Sequence, residues 1–62
     1  MTEWEVGIKA IRQEYDLEGD RWIERVRAIN QLEARHQTFV QATKNRPGYF
    51  LYDITSIIEV KA

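Results

Sequence analysis

Residues 49–60, YFLYDITSIIEV, decide how this chain is read. Phe50, Tyr52, Ile54, Ile58 and Val60 fall on one face at period two, with Ser56 the only break, and Tyr, Phe, Ile, Thr and Val suit a pleated surface. The segment therefore predicts a β-strand, entered through the Arg46-Pro47-Gly48 turn. One alternative stays open: Asp53 can cap a short helix from Ile54, because Ile54, Ile57 and Ile58 also sit at helical spacing. No other stretch reads as a strand, and a lone strand leaves backbone donors and acceptors unpaired. Its expected mate is the same strand of a second molecule.

Upstream, the spacing predicts helices. Thr2 and Glu5 fit a capping box, and Trp4, Ile8, Ile11 and Tyr15 succeed one another at intervals of four, three and four, giving a helix over about residues 3–16. Gly7 weakens that helix by about 1 kcal/mol relative to Ala, which leaves packing as its main support. Leu17-Glu18-Gly19-Asp20 signals its end, with Gly19 suited to the left-handed conformation and Asp20 to capping the next helix. Trp22, Val26, Ile29, Leu32, His36, Phe39 and Val40 then form a stripe over about residues 21–44, a stretch without Pro or Gly that should run to Asn45. So short a link predicts an antiparallel helical hairpin. At roughly 21 Å and 36 Å the two helices are unequal, so the far end around His36, Phe39 and Val40 needs other cover.

Size points to the same conclusion. A chain of 62 residues forms one domain and buries only about 60% of the area its unfolded form exposes. Chains this small need a staple, and with no cysteine both disulfides and cysteine-based zinc sites are excluded, which leaves oligomerisation. Apolar content of 44%, with two Trp, three Tyr and two Phe, argues for a folded chain with aromatic area to spare for an interface. A net charge of −1 creates no global field toward nucleic acid or acidic lipid. No apolar run is long enough to span a bilayer, and the acidic N-terminus lacks the pattern of a signal peptide, so the expected location is the cytoplasm.

No pattern of chemistry emerges. His36 is the only histidine, and neither a nucleophile nor a fixed carboxylate accompanies it in sequence; a structural place, or pH tuning of an interface, fits it better than catalysis. Glu3, Glu5, Glu14, Asp16, Glu18 and Asp20 make the first third acidic, yet DLEGD lacks the spacing and closing Glu of a calcium loop. Helix ends and solvated faces account for these acids. No catalytic, cofactor or metal residues are assigned, and no small-molecule substrate is expected. Arg21, Arg25 and Arg27, with Arg46 beyond them, are the candidates for nucleic-acid contact, but on a helix Arg27 leaves the face of the other two, and Glu24 and Glu33 are interleaved. Arginine stems covering apolar surface explain them as well.

The sequence MTEWEVGIKAIRQEYDLEGDRW, then INQLEARHQTFVQATKNRPG, then YFLYDITSII, resembles a group of tiny early proteins of lambdoid temperate bacteriophages, encoded between the exonuclease and excisionase genes. The resemblance covers length and element order and carries no diagnostic motif. It implies a non-enzymatic protein that favours lytic development, in the host cytoplasm, and a dimer whose helices and strand contact the other subunit.

The expectation from sequence is thus an α+β chain, an antiparallel helical hairpin followed by one C-terminal strand, in an intertwined homodimer with intersubunit antiparallel strand pairing. Its function would be regulation by protein–protein contact with a host or phage protein, through a hydrophobic groove, with a small DNA-binding regulator as the alternative. Trp4, Ile8, Ile11, Trp22, Val26, Ile29, Phe39, Phe50, Tyr52 and Ile54 are the candidates for dimer core or partner groove.

Overall fold

From Thr2 to Ile11 the chain also alternates polar and apolar, TEWEVGIKAI, and this period of two governs its structure. In the computed structural model, which describes residues 1–61, the segment is strand β1 (Thr2–Ile11), with Trp4, Val6, Ile8 and Ala10 buried on one face. Strand β2 (Asp20–Ala28) obeys the same rule, sending Glu24, Val26 and Ala28 inward with Trp22 half-buried. Helix α1 (Gln31–Asn45) and strand β3 (Leu51–Val60) complete the chain. The sheet order is β2-β1-β3, with both pairings antiparallel.

The expected helical hairpin is corrected by this arrangement. Residues 3–16 are strand β1 and part of a connecting loop, and residues 21–44 divide between β2 and α1. The helical spacing of Trp4, Ile8 and Ile11 is real but coincides with alternation at Trp4, Val6, Ile8 and Ala10. Alternation wins because a paired strand satisfies its backbone through the ladder and buries four consecutive inward residues; Gly7, unfavourable in the interior of a helix and a strand alike, is accommodated because a Cβ there would meet Ser56 Oγ of the neighbouring strand. The intertwined dimer with intersubunit strand pairing is corrected too: the antiparallel mate of β3 is β1 of the same chain, with Val6 opposite Ile57 and Ile8 opposite Ile54. The short-helix alternative for the tail does not occur.

Gly19 sits at φ 65°, in the left-handed region, where residues 12–19 return the chain into β2. Asn30, with extended backbone, opens α1: its side chain accepts the Glu33 N–H at 2.9 Å. The helix closes with the Arg46 N–H bonded to the Ala42 carbonyl at 2.8 Å. Ala34, Thr38 and Ala42, at i, i+4 and i+8, are its buried residues. Small side chains there bring the helix close to the sheet, and the hydroxyl of Thr38 is spent on the Ala34 carbonyl at 2.7 Å. The core has two parts, Trp4, Val6, Val26, Ala28 and Ala34 at one end and Ile8, Ala10 and Ala42 at the other, with Ile54 packed against both.

Between Gly7 and Ile8 the β1–β3 register slips by one residue, so Thr55 is an extra residue in β3. The period-two face read from sequence is broken there. Tyr52, Ile54 and Ile57 point toward the helix side, while Ile58 and Val60 pass to the opposite face, beside Glu5 and Glu3.

Candidate interaction surface

One face of the sheet carries α1; among the described residues no layer covers the other. Cross-strand rows on that open face read Arg27, Glu3, Val60; then Arg25, Glu5, Ile58; then Ile23, Gly7, Ser56; then Arg21, Lys9, Asp53; and finally Ile11 beside Leu51. Seven of these fourteen residues are charged, and Ile23 (61% exposed), Ile58 (58%) and Leu51 (53%) interrupt an otherwise polar outer face. Arg25 clamps two rows together, reaching Glu3 at 3.0 Å and Glu5 at 2.9 Å. All three side chains are partly exposed, so the clamp orders the face more than it stabilises the fold. At the centre, Gly7 lets the hydroxyls of Thr55 and Ser56 close over the strand. A Cβ there would stand 2.6 Å from Ser56 Oγ and 2.8 Å from Thr55 Oγ1.

At the end of this face a cavity of about 220 Å³ is lined by Lys9, Ile11, Leu51 and Asp53 of the sheet and by Asp16 and Leu17 of the connecting loop. Asp16 shapes the loop by accepting the Gly19 N–H at 3.1 Å and the Arg12 N–H at 3.4 Å. These bonds, that from Gly19 first, hold its carboxyl below the ordinary value against a smaller opposing effect of burial. Lys9 Nζ donates to the Leu17 carbonyl at 3.4 Å, and Asp53 makes no ion pair among the described residues.

The helix side is closed by polar and aromatic contacts. Glu24 is only 7% exposed, and its two oxygens accept the Trp22 indole N–H and the Gln41 amide, each at 2.6 Å. Gln41 also donates to the Arg25 carbonyl at 3.1 Å, so α1 serves a backbone acceptor of β2. Around the entry to β3, Tyr49 packs between Trp22 and Tyr52, tilted against the first and edge-on to the second, with ring centroids 5.6 and 5.5 Å away. Arg12 lies over the Tyr49 ring and Arg46 over the Trp22 ring, both at 4.6 Å. The Tyr49 hydroxyl donates to Asp20, which pushes its pKa upward, with burial adding to the effect.

The candidates from sequence are therefore dispersed. Trp4, Ile8 and Val26 are core, and Trp22, Tyr52 and Ile54 pack half-buried against it. Ile11 lines the cavity, Phe39 is half-buried on α1, and Ile29 and Phe50 are exposed. Arg21, Arg25 and Arg27 share the open face, because a strand places odd-numbered residues together, while Arg46 lies over Trp22 on the helix side. His36 is exposed on α1. Ile23, Leu51, Ile58, Glu24 and Gln41 were missed; reading Arg21, Ile23, Arg25 and Arg27 at period two would have exposed the first of them.

Among the described residues no cluster of three or more His, Asp or Glu is placed to hold a metal ion, and no helix is long and apolar enough to cross a membrane. No family model matches the chain, and no curated protein or solved structure matches it.

Proposed function

We propose that the chain is a non-enzymatic regulatory protein that acts through protein–protein contact as a homodimer, using the sheet face opposite α1. The observation that carries this reading is the exposure of Ile23, Leu51 and Ile58 on a face with no covering layer. A second copy is the first occupant because a core this small gains most from a second layer. Two such faces stacked about a two-fold axis form a sheet-on-sheet core of the usual kind. The Arg25 clamp and the charged residues of the central strand β1 run across this face, and in a two-fold stack they pair between the copies as polar contacts within the seam. A role in favouring lytic development, with a host or phage protein as the further partner, rests on the resemblance in length to the small early proteins of lambdoid phages alone, since the element order that carried the rest of it is not the one observed. Sedimentation at micromolar concentration tests the dimer. The expected result is a dimer that Ile23→Glu and Ile58→Glu convert to a folded monomer, and a stable folded monomer for the native chain overturns the reading.

One observation favours a DNA-binding regulator as the second reading: Arg21, Arg25 and Arg27 lie on one face of β2, with Lys9 across from Arg21. Against it, Arg25 is held by Glu3 and Glu5, Asp53 sits beside Lys9, and Arg46 is on the other side of the sheet. Titration against mixed duplex DNA separates the two. Salt-sensitive binding favours DNA, and no binding at low salt eliminates it.

A further inference from the structure

The two edges of the sheet are treated differently. On β2, Gln41 reaches over to bond the Arg25 carbonyl, Glu24 points a charge inward, and Arg21, Arg25 and Arg27 stand along the strand; each of these blunts an edge against further pairing. Strand β3 is protected less: its only such features are the extra residue at Thr55 and the charge of Glu59, on the helix-side face opposite Trp4, and no side chain of α1 bonds its backbone among the described residues. It contains no Pro, Lys or Arg, and it exposes Leu51 and Ile58 with Phe50 just before it. Its charged residues are Asp53 and Glu59, six positions apart, and neither makes an ion pair among the described residues.

We propose that the outer edge of β3, with the cavity beside Leu51 and Asp53, is the docking site for an extended segment of a partner protein that carries a lysine or arginine toward each end and apolar residues between. The proposal rests on the protein-contact reading above and adds the backbone edge of β3, which borders the open face and shares Leu51, Asp53 and the cavity with it. The incoming backbone extends the ladder outward from β3, and its side chains fall alternately on the two faces of the sheet. Because the extra residue at Thr55 leaves Asp53 on the open face and Glu59 on the helix face, basic residues five positions apart, one on each face, meet them, while the residues between lie alongside the segment from Ile54 to Ile58. Near Asp53, an apolar side chain on the open face enters the cavity against Ile11, Leu17 and Leu51. A second copy is the poorer occupant, since two β3 edges bring four carboxylates into one seam with no base in either strand.

The test uses the full chain and three synthetic ten-residue peptides: one with Lys at positions two and seven and Val and Ile between, one with Glu in place of both Lys, and one carrying the Lys sequence with alternate backbone nitrogens methylated. The Lys peptide is expected to bind and to shift the amide resonances of β3 and of Lys9 and Ile11. The Glu peptide and the methylated peptide should each bind at least tenfold more weakly. Asp53→Lys with Glu59→Lys should reverse the preference between the Lys and Glu peptides, a gain that a misfolded variant cannot show. Binding by the Glu peptide as tight as by the Lys peptide, binding unaffected by methylation, or no binding by any peptide overturns the proposal. So does a native dimer in which amide protection on association maps to the β3 edge. Failure of the open-face dimer is read separately, since Ile23→Glu acts on self-association and leaves β3 peptide binding in place.

Discussion

Replacing Gln41 by Met keeps the length and helix propensity of the side chain and removes one donor from a buried carboxylate. Gln41 donates to Glu24 Oε1 at 2.6 Å, and Glu24 is 7% exposed, so the orphaned oxygen has little access to water. A hydrogen bond to a charged group contributes about 1.5–3 kcal/mol. The second bond, to the Arg25 carbonyl, is exposed, and water replaces it at little cost. The expected loss is therefore about 2 kcal/mol, which lowers Tm by roughly 8–16 °C in a domain of this size. A domain of this length has about 3–9 kcal/mol in total, so the variant still folds and the loss is measurable. Urea unfolding followed by tryptophan fluorescence should show a lower midpoint with unchanged m. Converting Glu24 to Leu at the same time removes the acceptor that needed the donor, and the double variant should be at least about 1 kcal/mol more stable than the sum of the two single losses. A Gln41→Met loss under about 0.5 kcal/mol, or simple additivity, refutes the view that Gln41 helps to make the buried charge tolerable.

Gly19→Ala should destabilise by more than about 2 kcal/mol, because φ is positive and the new Cβ would stand 2.6 Å from the Ala10 carbonyl oxygen, a backbone atom that cannot turn aside; thermal unfolding measures it. The Asp16 carboxyl has a folded pKa below its unfolded value, so its stabilising contribution is full above the ordinary value of 3.8 and is lost as pH falls through the lower folded one. Carboxyl NMR titration should place its midpoint below 3.8, and Asp16→Asn should flatten the acid limb of stability. Tyr49 has the opposite sign: its raised folded pKa gives a contribution that is full below 10 and lost as pH rises through the folded value. Phenolate absorbance should show Tyr49 ionising above 10, and Tyr49→Phe should remove its contribution.

How much of the fold was legible depends on how many periods each segment can serve. Residues 51–60 are rich in β-branched and aromatic residues and come after a turn that no helix crosses, so the strand identity of β3 was open to reading. The end of α1 was readable from Arg46-Pro47-Gly48, and the left-handed backbone at Gly19 from the residue itself. Residues 2–11 and 20–28 satisfy a helical and an alternating pattern at once, because Trp4 and Ile8, and likewise Trp22 and Val26, are inward in both. The start of α1 was hidden by a stripe that runs on from Val26 to Ile29 and Leu32 and looks continuous; Asn30 with Glu33 three residues later was the missed capping signal. For the candidate surface, the arginines were recognised as a group, but their shared face depended on the strand assignment.

By itself the sequence determined the local preferences: one C-terminal strand, the turns at Gly19 and at residues 46–48, the absence of any disulfide, and a mixed charge with no steering field. Only the tertiary structure decided that β1 lies between β2 and β3, that the slip at Thr55 turns Ile58 and Val60 to the open face, and that Glu24 can be buried because Trp22 and Gln41 both donate to it. The physical reason is that strand pairing and side-chain satisfaction are non-local. Whether a segment with two compatible periods becomes a helix or a strand depends on the energy of a ladder whose other half lies tens of residues away, and no window of sequence contains both halves.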